Sequence, residues 1–153
     1  MLSVYEKRVM KAHELFEKGR EFLSDDNTLA ALACFEKAYS MEKLPGIKSY
    51  MGICVAMERG QIKEGIQLCN DAIAEDPGNP VPYLHLGKIH IKVGKKDEAI
   101  AIMRKGLSFG DSEEIRKILD GLGTRRKPFF PFLSRKNVLN KYAGLLLRMM
   151  RIR

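Results

Sequence analysis

The sequence predicts an all-α protein, built as a solenoid of three stacked helix–turn–helix units. The main observation is that residues 34 positions apart share size and character. Three such sets follow one another at helical spacing, small, then large and apolar, then small again: Ala31, Gly65 and Ala99; Phe35, Cys69 and Met103; Ala38, Ala72 and Gly106. A small residue followed by a large one four positions later lies on one helix face, and small residues let paired helices approach closely.

Composition agrees with a soluble helical domain. The chain has 153 residues, of which 45% are hydrophobic and 30% charged, and no apolar run reaches the ~20 residues that span a bilayer. The N-terminal residues are charged throughout, so a secretory signal is not expected. Three cysteines, an odd number, argue against a disulfide scaffold and for a reducing compartment. We therefore expect a cytoplasmic protein.

Breaks in the helical pattern delimit the first two units. The first is predicted at residues 12–45, with its internal turn at Asp25-Asp26-Asn27 and its end at Leu44-Pro45-Gly46. The apolar pattern begins earlier, so residues 4–23 exceed one repeat helix. The second unit is predicted at residues 46–79, with its internal turn at Gly60 and its end in the Pro-Gly-Asn-Pro run.

The third unit, residues 80–113, has the clearest start and turn. Asn79 is placed to cap a helix whose first residue is Pro80, and Gly94 lies 34 residues after Gly60. Asp111 and Glu114 form a capping signature for a seventh helix at residues 112–121. An apolar face on that helix would cover the exposed end of the stack, as the terminal unit of a solenoid requires.

These residues resemble the tetratricopeptide repeat, a 34-residue unit patterned W-x2-L-G-x2-Y, A-x3-F, P. The third copy matches best, with Tyr83, Leu86, Gly87 and His90 followed by Ala99 and Met103. The second copy has its helix glycine at Gly52, one residue early, and the first has Leu15 in the Trp position. The resemblance covers about two thirds of the chain and implies a right-handed α-solenoid.

The resemblance also implies a function and a site. In this family the first helices of successive units line a concave groove that binds a peptide or a protein partner. Carried over by position, the groove residues come from three helices: His13, Phe16, Arg20 and Leu23; Tyr50, Cys54 and Met57; Leu84, Lys88 and Ile91. A subclass of the family grips a C-terminal carboxylate, and its clamp is not assembled here, where the positions hold Phe16, Arg20, Val81 and His85. The groove is thus predicted to combine apolar side chains with two cations, Arg20 and Lys88. Such a groove suits an apolar peptide that carries an acidic group.

The basic charge is concentrated in the last 31 residues. Met1–Leu122 carries 18 Lys+Arg and 19 Asp+Glu, whereas Gly123–Arg153 carries nine Lys+Arg and no acid. Two prolines exclude a helix at the start of this tail, and a basic amphipathic helix is predicted from about Ser134 or Asn137. The residues predicted to dock the tail are apolar or aromatic, with one arginine: Phe129, Phe130, Phe132, Leu139, Tyr142, Leu146 and Arg148.

Three docking partners remain open for the tail: the chain's own repeat stack, an anionic membrane surface, and a partner protein or second copy of the chain. A homo-oligomer and peripheral membrane contact are therefore both possible. No helix-turn-helix, RNP or zinc pattern is present, so specific nucleic-acid recognition is not expected.

No catalytic or metal-binding constellation is evident. The H-E-x-x-H and P-loop patterns both fail, and His85 and His90 are five residues apart, on different sides of a helix. Cys34, Cys54 and Cys69 are interpreted as buried, inert thiols. The sequence therefore predicts a non-enzymatic adaptor without cofactor or metal, whose partner binds in the groove. The alternative is a membrane-surface or nucleic-acid-associated regulator acting through the basic tail.

Overall fold

The computed structural model describes residues 3–122 of the chain and contains seven α-helices and no strand in that range. The helices are α1 (Val4–Ser24), α2 (Thr28–Met41), α3 (Ile47–Glu58), α4 (Ile62–Glu75), α5 (Pro80–Lys92), α6 (Lys96–Leu107) and α7 (Glu113–Gly121). This confirms the all-α fold class. The seven predicted tail-docking residues lie outside the described residues. Within that range, no helix is long and apolar enough to cross a bilayer.

The helices pack as three hairpins in a row. α1 packs on α2, α3 on α4 and α5 on α6, while α2 with α3, α4 with α5, and α3 with α5 join neighbouring hairpins. α7 packs on α6 and buries Ile115 and Leu119 at the end of the row. The unpaired seventh helix therefore covers apolar surface that the third hairpin would otherwise expose.

Each hairpin turn contains one residue in the left-handed region, and the three are one repeat apart. Gly60 and Gly94 have φ of 66° and 77°, as turn glycines commonly do. The corresponding residue of the first hairpin is Asp26, with φ of 58°. Aspartate is among the few other residues that tolerate this conformation.

The large residue of each repeat fills the space between its two helices. Phe35 and Met103 are fully buried. Each lies against a glycine of the facing helix: a Cβ added at Gly19 would be 2.6 Å from the Phe35 ring, and one at Gly87 would be 2.6 Å from Met103. The glycine and the large side chain therefore form a complementary pair in the first and third hairpins.

The second hairpin packs its helices more closely. Its buried residue at the large position is the smaller Cys69, and glycine replaces the alanine of the other repeats at Gly65. A Cβ on Gly52 would lie 2.7 Å from the Gly65 carbonyl oxygen, and one on Gly65 would lie 2.5 Å from that of Gly52. The one-residue displacement of the helix glycine in this copy therefore places it at a contact between two backbones.

Side-chain caps fix the beginnings of α5 and α7. Asn79 Oδ1 accepts a hydrogen bond from the Val81 amide at 3.0 Å, with Pro80 in the first turn, as the sequence predicts. At α7 the cap is Ser112, whose hydroxyl accepts from the Ile115 amide, rather than Asp111. Asp111 instead forms an ion pair with Arg116. The D-x-x-E signature thus located the start of the helix but not its capping residue.

Candidate binding cleft

A cleft of about 680 Å³ opens along the first helices of the three hairpins and the covering helix α7. α1 and the turn after it contribute Glu17, Arg20, Glu21, Leu23, Ser24 and Asp26. α3 contributes Tyr50, α5 contributes Val81, Leu84, His85 and Lys88, and α7 with its cap contributes Glu114 and Ser112. None of the second helices α2, α4 and α6 lines it, so the cleft is formed by alternate helices of the solenoid.

Half of the predicted groove residues lie in this cleft. The structure brings together Arg20, Leu23, Tyr50, Leu84 and Lys88.

The other five predicted residues lie elsewhere in the structure. His13 is exposed on α1, and Phe16 is half-buried against aromatic neighbours. Cys54 is fully buried in the first core cluster, which also packs Met57, whereas Ile91 packs on the third core cluster. Cys54 therefore lies in the core rather than on the wall of the cleft.

A row of aromatic rings runs from the core of the first hairpin to the cleft. Phe16 contacts Phe35 at a centroid distance of 5.7 Å and meets Tyr50 edge-on at 5.2 Å. Tyr50 in turn meets the His85 ring edge-on at 4.6 Å. Because such pairs stabilise beyond simple area burial, the row couples α1, α3 and α5 and holds the floor of the cleft in place.

Both cations in the cleft are paired with carboxylates. Arg20 Nη1 lies 2.9 Å from Glu17 Oε2, one turn earlier on α1. Lys88 Nζ pairs with Glu114, which joins α5 to α7 across the cleft. Exposed pairs of this kind contribute little to stability, but they determine which charges remain for a ligand.

His85 is a buried, neutral member of the cleft. Only 4% of its surface is exposed, and its Nδ1 lies 3.2 Å from the hydroxyl of fully buried Ser49. Burial, together with the nearby Lys88 charge, lowers the pKa of His85 to about 3, opposed by the Ser49 backbone. The imidazole is therefore uncharged at neutral pH.

Sequence reasoning assigned none of the four acidic residues of the cleft, nor Ser24, to the groove. Glu17, Glu21 and Ser24 are spaced three and four residues from one another or from Arg20, so they share its helix face. That spacing was a usable signal for α1. No such signal was available for Glu114, because only the packing of α7 brings it to Lys88.

Two of the three cysteines are buried in the core. Burial raises the pKa of Cys54 and of Cys69 to about 12, and a protonated thiol is a poor nucleophile. Cys34 is half-buried, less than the sequence interpretation expected. Among residues 3–122 no group of His, Cys, Asp and Glu is arranged to hold a metal ion.

A second, smaller cavity of about 310 Å³ lies among α4, α5 and α6. Its lining is mostly apolar and includes Tyr83 and His90. The His90 Nδ1 is buried without a hydrogen-bond partner in the part of the chain that the structure describes. Burial lowers the pKa of His90, and the neighbouring Lys95 acts in the same direction.

Comparison with known proteins gives one family. Residues 56–119 match the family model described as tetratricopeptide repeat. No curated protein sequence matches the chain.

Solved structures share the fold at low sequence identity. The tetratricopeptide repeat domain of Sgt2 from Aspergillus fumigatus is 17% identical, with a TM-score of 0.58 over 72% of this chain and 76% of that one. The Arabidopsis OM64 domain is 17% identical, with a TM-score of 0.60 over 77% and 98%. The first such domain of Spaghetti (RPAP3), solved with the HSP90 peptide SRMEEVD, is 19% identical, with a TM-score of 0.57 over 74% and 90%. Residues 56–119 thus match the tetratricopeptide repeat model, and the described part of the chain shares the helical fold of these solved repeat domains.

Proposed function

We propose that the chain is a non-enzymatic adaptor that binds a peptide or protein segment in the cleft. The observation that carries the proposal is the cleft itself, since residues from four separate helices converge on one concave surface. Its volume is in the range of ligand sites, which combine an apolar floor with a few polar groups. Tyr50 and Leu84 supply that floor, and the charged residues of α1 and α7 supply the polar rim.

The similar structures agree with this proposal in one respect. The first and second repeat domains of Spaghetti were each solved with a bound HSP90 peptide.

The chemistry of the site favours binding over catalysis. Ser49 and His85 are spaced like a nucleophile and its base, but Ser49 is fully buried and its hydroxyl is also within hydrogen-bond distance of the Gly46 carbonyl. A substrate could not reach it. We propose the cytoplasm as the compartment, because all three cysteines are free thiols.

Capture from a native, nuclease-treated extract tests the adaptor function. A bulky Ser24→Trp substitution would obstruct the cleft, since Ser24 is an exposed residue on its wall. Ser40→Trp is the matched control: Ser40 lies on α2 outside the cleft, and each serine hydroxyl donates to the carbonyl three residues earlier at 2.7 Å. We expect a protein retained by the wild-type full chain and by Ser40→Trp, but lost with Ser24→Trp.

Salt separates this function from the alternative in the basic tail. Apolar contacts in the cleft should hold the partner when ionic strength is raised several-fold, whereas phosphate or headgroup binding by Gly123–Arg153 should weaken steeply. Equal retention by both tryptophan variants, together with loss of all bound material in salt, would contradict the cleft and favour a membrane-surface or nucleic-acid-associated role. The observation that favours the alternative is the charge of that segment, which has nine Lys+Arg and no acid.

A further inference from the structure

The cleft has more acidic than basic side chains. It contains four carboxylates, on Glu17, Glu21, Asp26 and Glu114, and two cations, on Arg20 and Lys88. Each cation is already paired with one of those carboxylates. Because His85 is neutral, the cleft carries a net charge of −2 at neutral pH, and it offers a ligand more acceptors than donors.

Ser49 fixes the tautomer of the neutral His85 ring, which lines the cleft. The Ser49 hydroxyl, which has one proton, lies 2.9 Å from the Gly46 carbonyl and 3.2 Å from His85 Nδ1. Both contacts are hydrogen bonds only if the hydroxyl donates to Gly46 and Nδ1 donates to the hydroxyl. The proton of the neutral ring is then on Nδ1, and Nε2 is left as an acceptor.

We propose that the cleft selects a basic partner segment, in which lysine or arginine lies next to an apolar side chain. This inference rests on the proposed adaptor function and names the chemistry of its ligand. Lysine and arginine are donor-only cations, so they match the carboxylates of Glu21 and Asp26 on the wall of the cleft. The apolar side chain packs on Tyr50 and Leu84.

An acidic segment is correspondingly disfavoured. It would bring like charges to the four carboxylates, and it could gain Arg20 and Lys88 only by displacing Glu17 and Glu114. This reverses the expectation drawn from the two cations alone, that an acidic group on the peptide would suit the groove.

A display library of random peptides, selected on the full chain, tests the ligand class. Selection is run in parallel on the wild type, Ser24→Trp and Ser40→Trp. Peptides that Ser24→Trp loses and Ser40→Trp keeps are defined as the cleft binders. Acidic peptides held by the basic tail would bind both variants and are excluded from this set. We expect this set to be enriched in lysine and arginine beside apolar residues, and depleted in aspartate and glutamate.

The carboxylates are then tested on one peptide from that set. Glu21→Gln/Asp26→Asn removes two negative charges, and asparagine tolerates the positive φ at position 26. We expect binding at least about tenfold weaker at low salt, and a smaller dependence on salt. Glu64→Gln/Asp97→Asn removes the same charges from exposed positions on α4 and α6 and should leave affinity unchanged.

The outcomes distinguish the two proposals. A cleft-binding set that is acidic or has no charge bias would overturn the basic ligand class and leave the adaptor function standing. The basic ligand class is equally overturned if Glu21→Gln/Asp26→Asn binds the peptide as tightly as the wild type. An empty set, with every selected peptide indifferent to Ser24→Trp, would remove both proposals.

Discussion

Gly65→Ala is expected to lower the free energy of unfolding by about 2 kcal/mol, although alanine is the better helix former by about 1 kcal/mol. The added Cβ would lie 2.5 Å from the Gly52 carbonyl oxygen and 2.8 Å from the Ala56 Cβ. Neither group can rotate away, because one is a backbone oxygen of α3 and the other is a Cβ bonded directly to the backbone of α3. The two helices must therefore separate, which strains the most closely packed hairpin of the stack. Urea unfolding followed by circular dichroism measures the change.

Gly121→Ala is the matched control. Gly121 is also helical, but among residues 3–122 no atom lies within 4 Å of the Cβ it would gain, and its φ is not in the left-handed region. There alanine should be neutral or stabilising by up to about 1 kcal/mol. Gly65→Ala is thus predicted to lower the free energy of unfolding, and Gly121→Ala is predicted not to lower it. If Gly65→Ala were also stabilising, the close approach of α3 and α4 would be wrong.

Acid should destabilise the wild-type chain more than a His85→Gln variant. The pKa of His85 is about 3 in the folded chain against a reference value of 6.5. Between these values the unfolded state binds a proton that the folded state excludes, so stability falls as the pH falls. The expected slope from this residue is about 1.4 kcal/mol per pH unit. The slope is half of this value at pH 6.5 and disappears about one pH unit higher, where the residue is neutral in both states.

The measurement is urea unfolding at a series of pH values from about 4 to 7, the window that the His85 shift defines. His85→Gln also removes the ring contact with Tyr50, so the slope with pH is compared rather than the absolute stability. His13→Gln is the control, because His13 is exposed on α1. Burial also lowers the pKa of His90, so some dependence of stability on pH remains in every variant. Parallel profiles for wild type and His85→Gln would mean that His85 is not buried as a neutral ring.

Local patterns in the sequence predicted most of the described fold. The 34-residue spacing of small and large residues indicated the paired helices, because such spacing directly determines which side chains meet. Glycine located the turns of the second and third hairpins, Asp25-Asp26-Asn27 located that of the first, and Asn79 was correctly identified as a cap. Asp26 was harder to recognise as the equivalent of Gly60 and Gly94, since it shares their backbone conformation but not their side chain.

The cleft was predicted less completely because its walls come from residues far apart in sequence. Family position suggested Tyr50 and Lys88, but it also suggested Cys54, which the stacking of neighbouring units buries. The pairing of Lys88 with Glu114 depends on how α7 docks. Which charged side chains line the cleft, and hence its net charge, is decided by tertiary packing. The family positions therefore indicated the two cations but not the carboxylates around them.

The central claim is that the first helices of the repeats, together with α7, form the partner-binding surface. Hydrogen–deuterium exchange of the full chain, alone and with the partner identified by capture, tests it most directly. We expect added protection in the cleft-lining parts of α1, α3, α5 and α7, with α2, α4 and α6 changed less. Protection confined to the second helices, or to Gly123–Arg153, would contradict it.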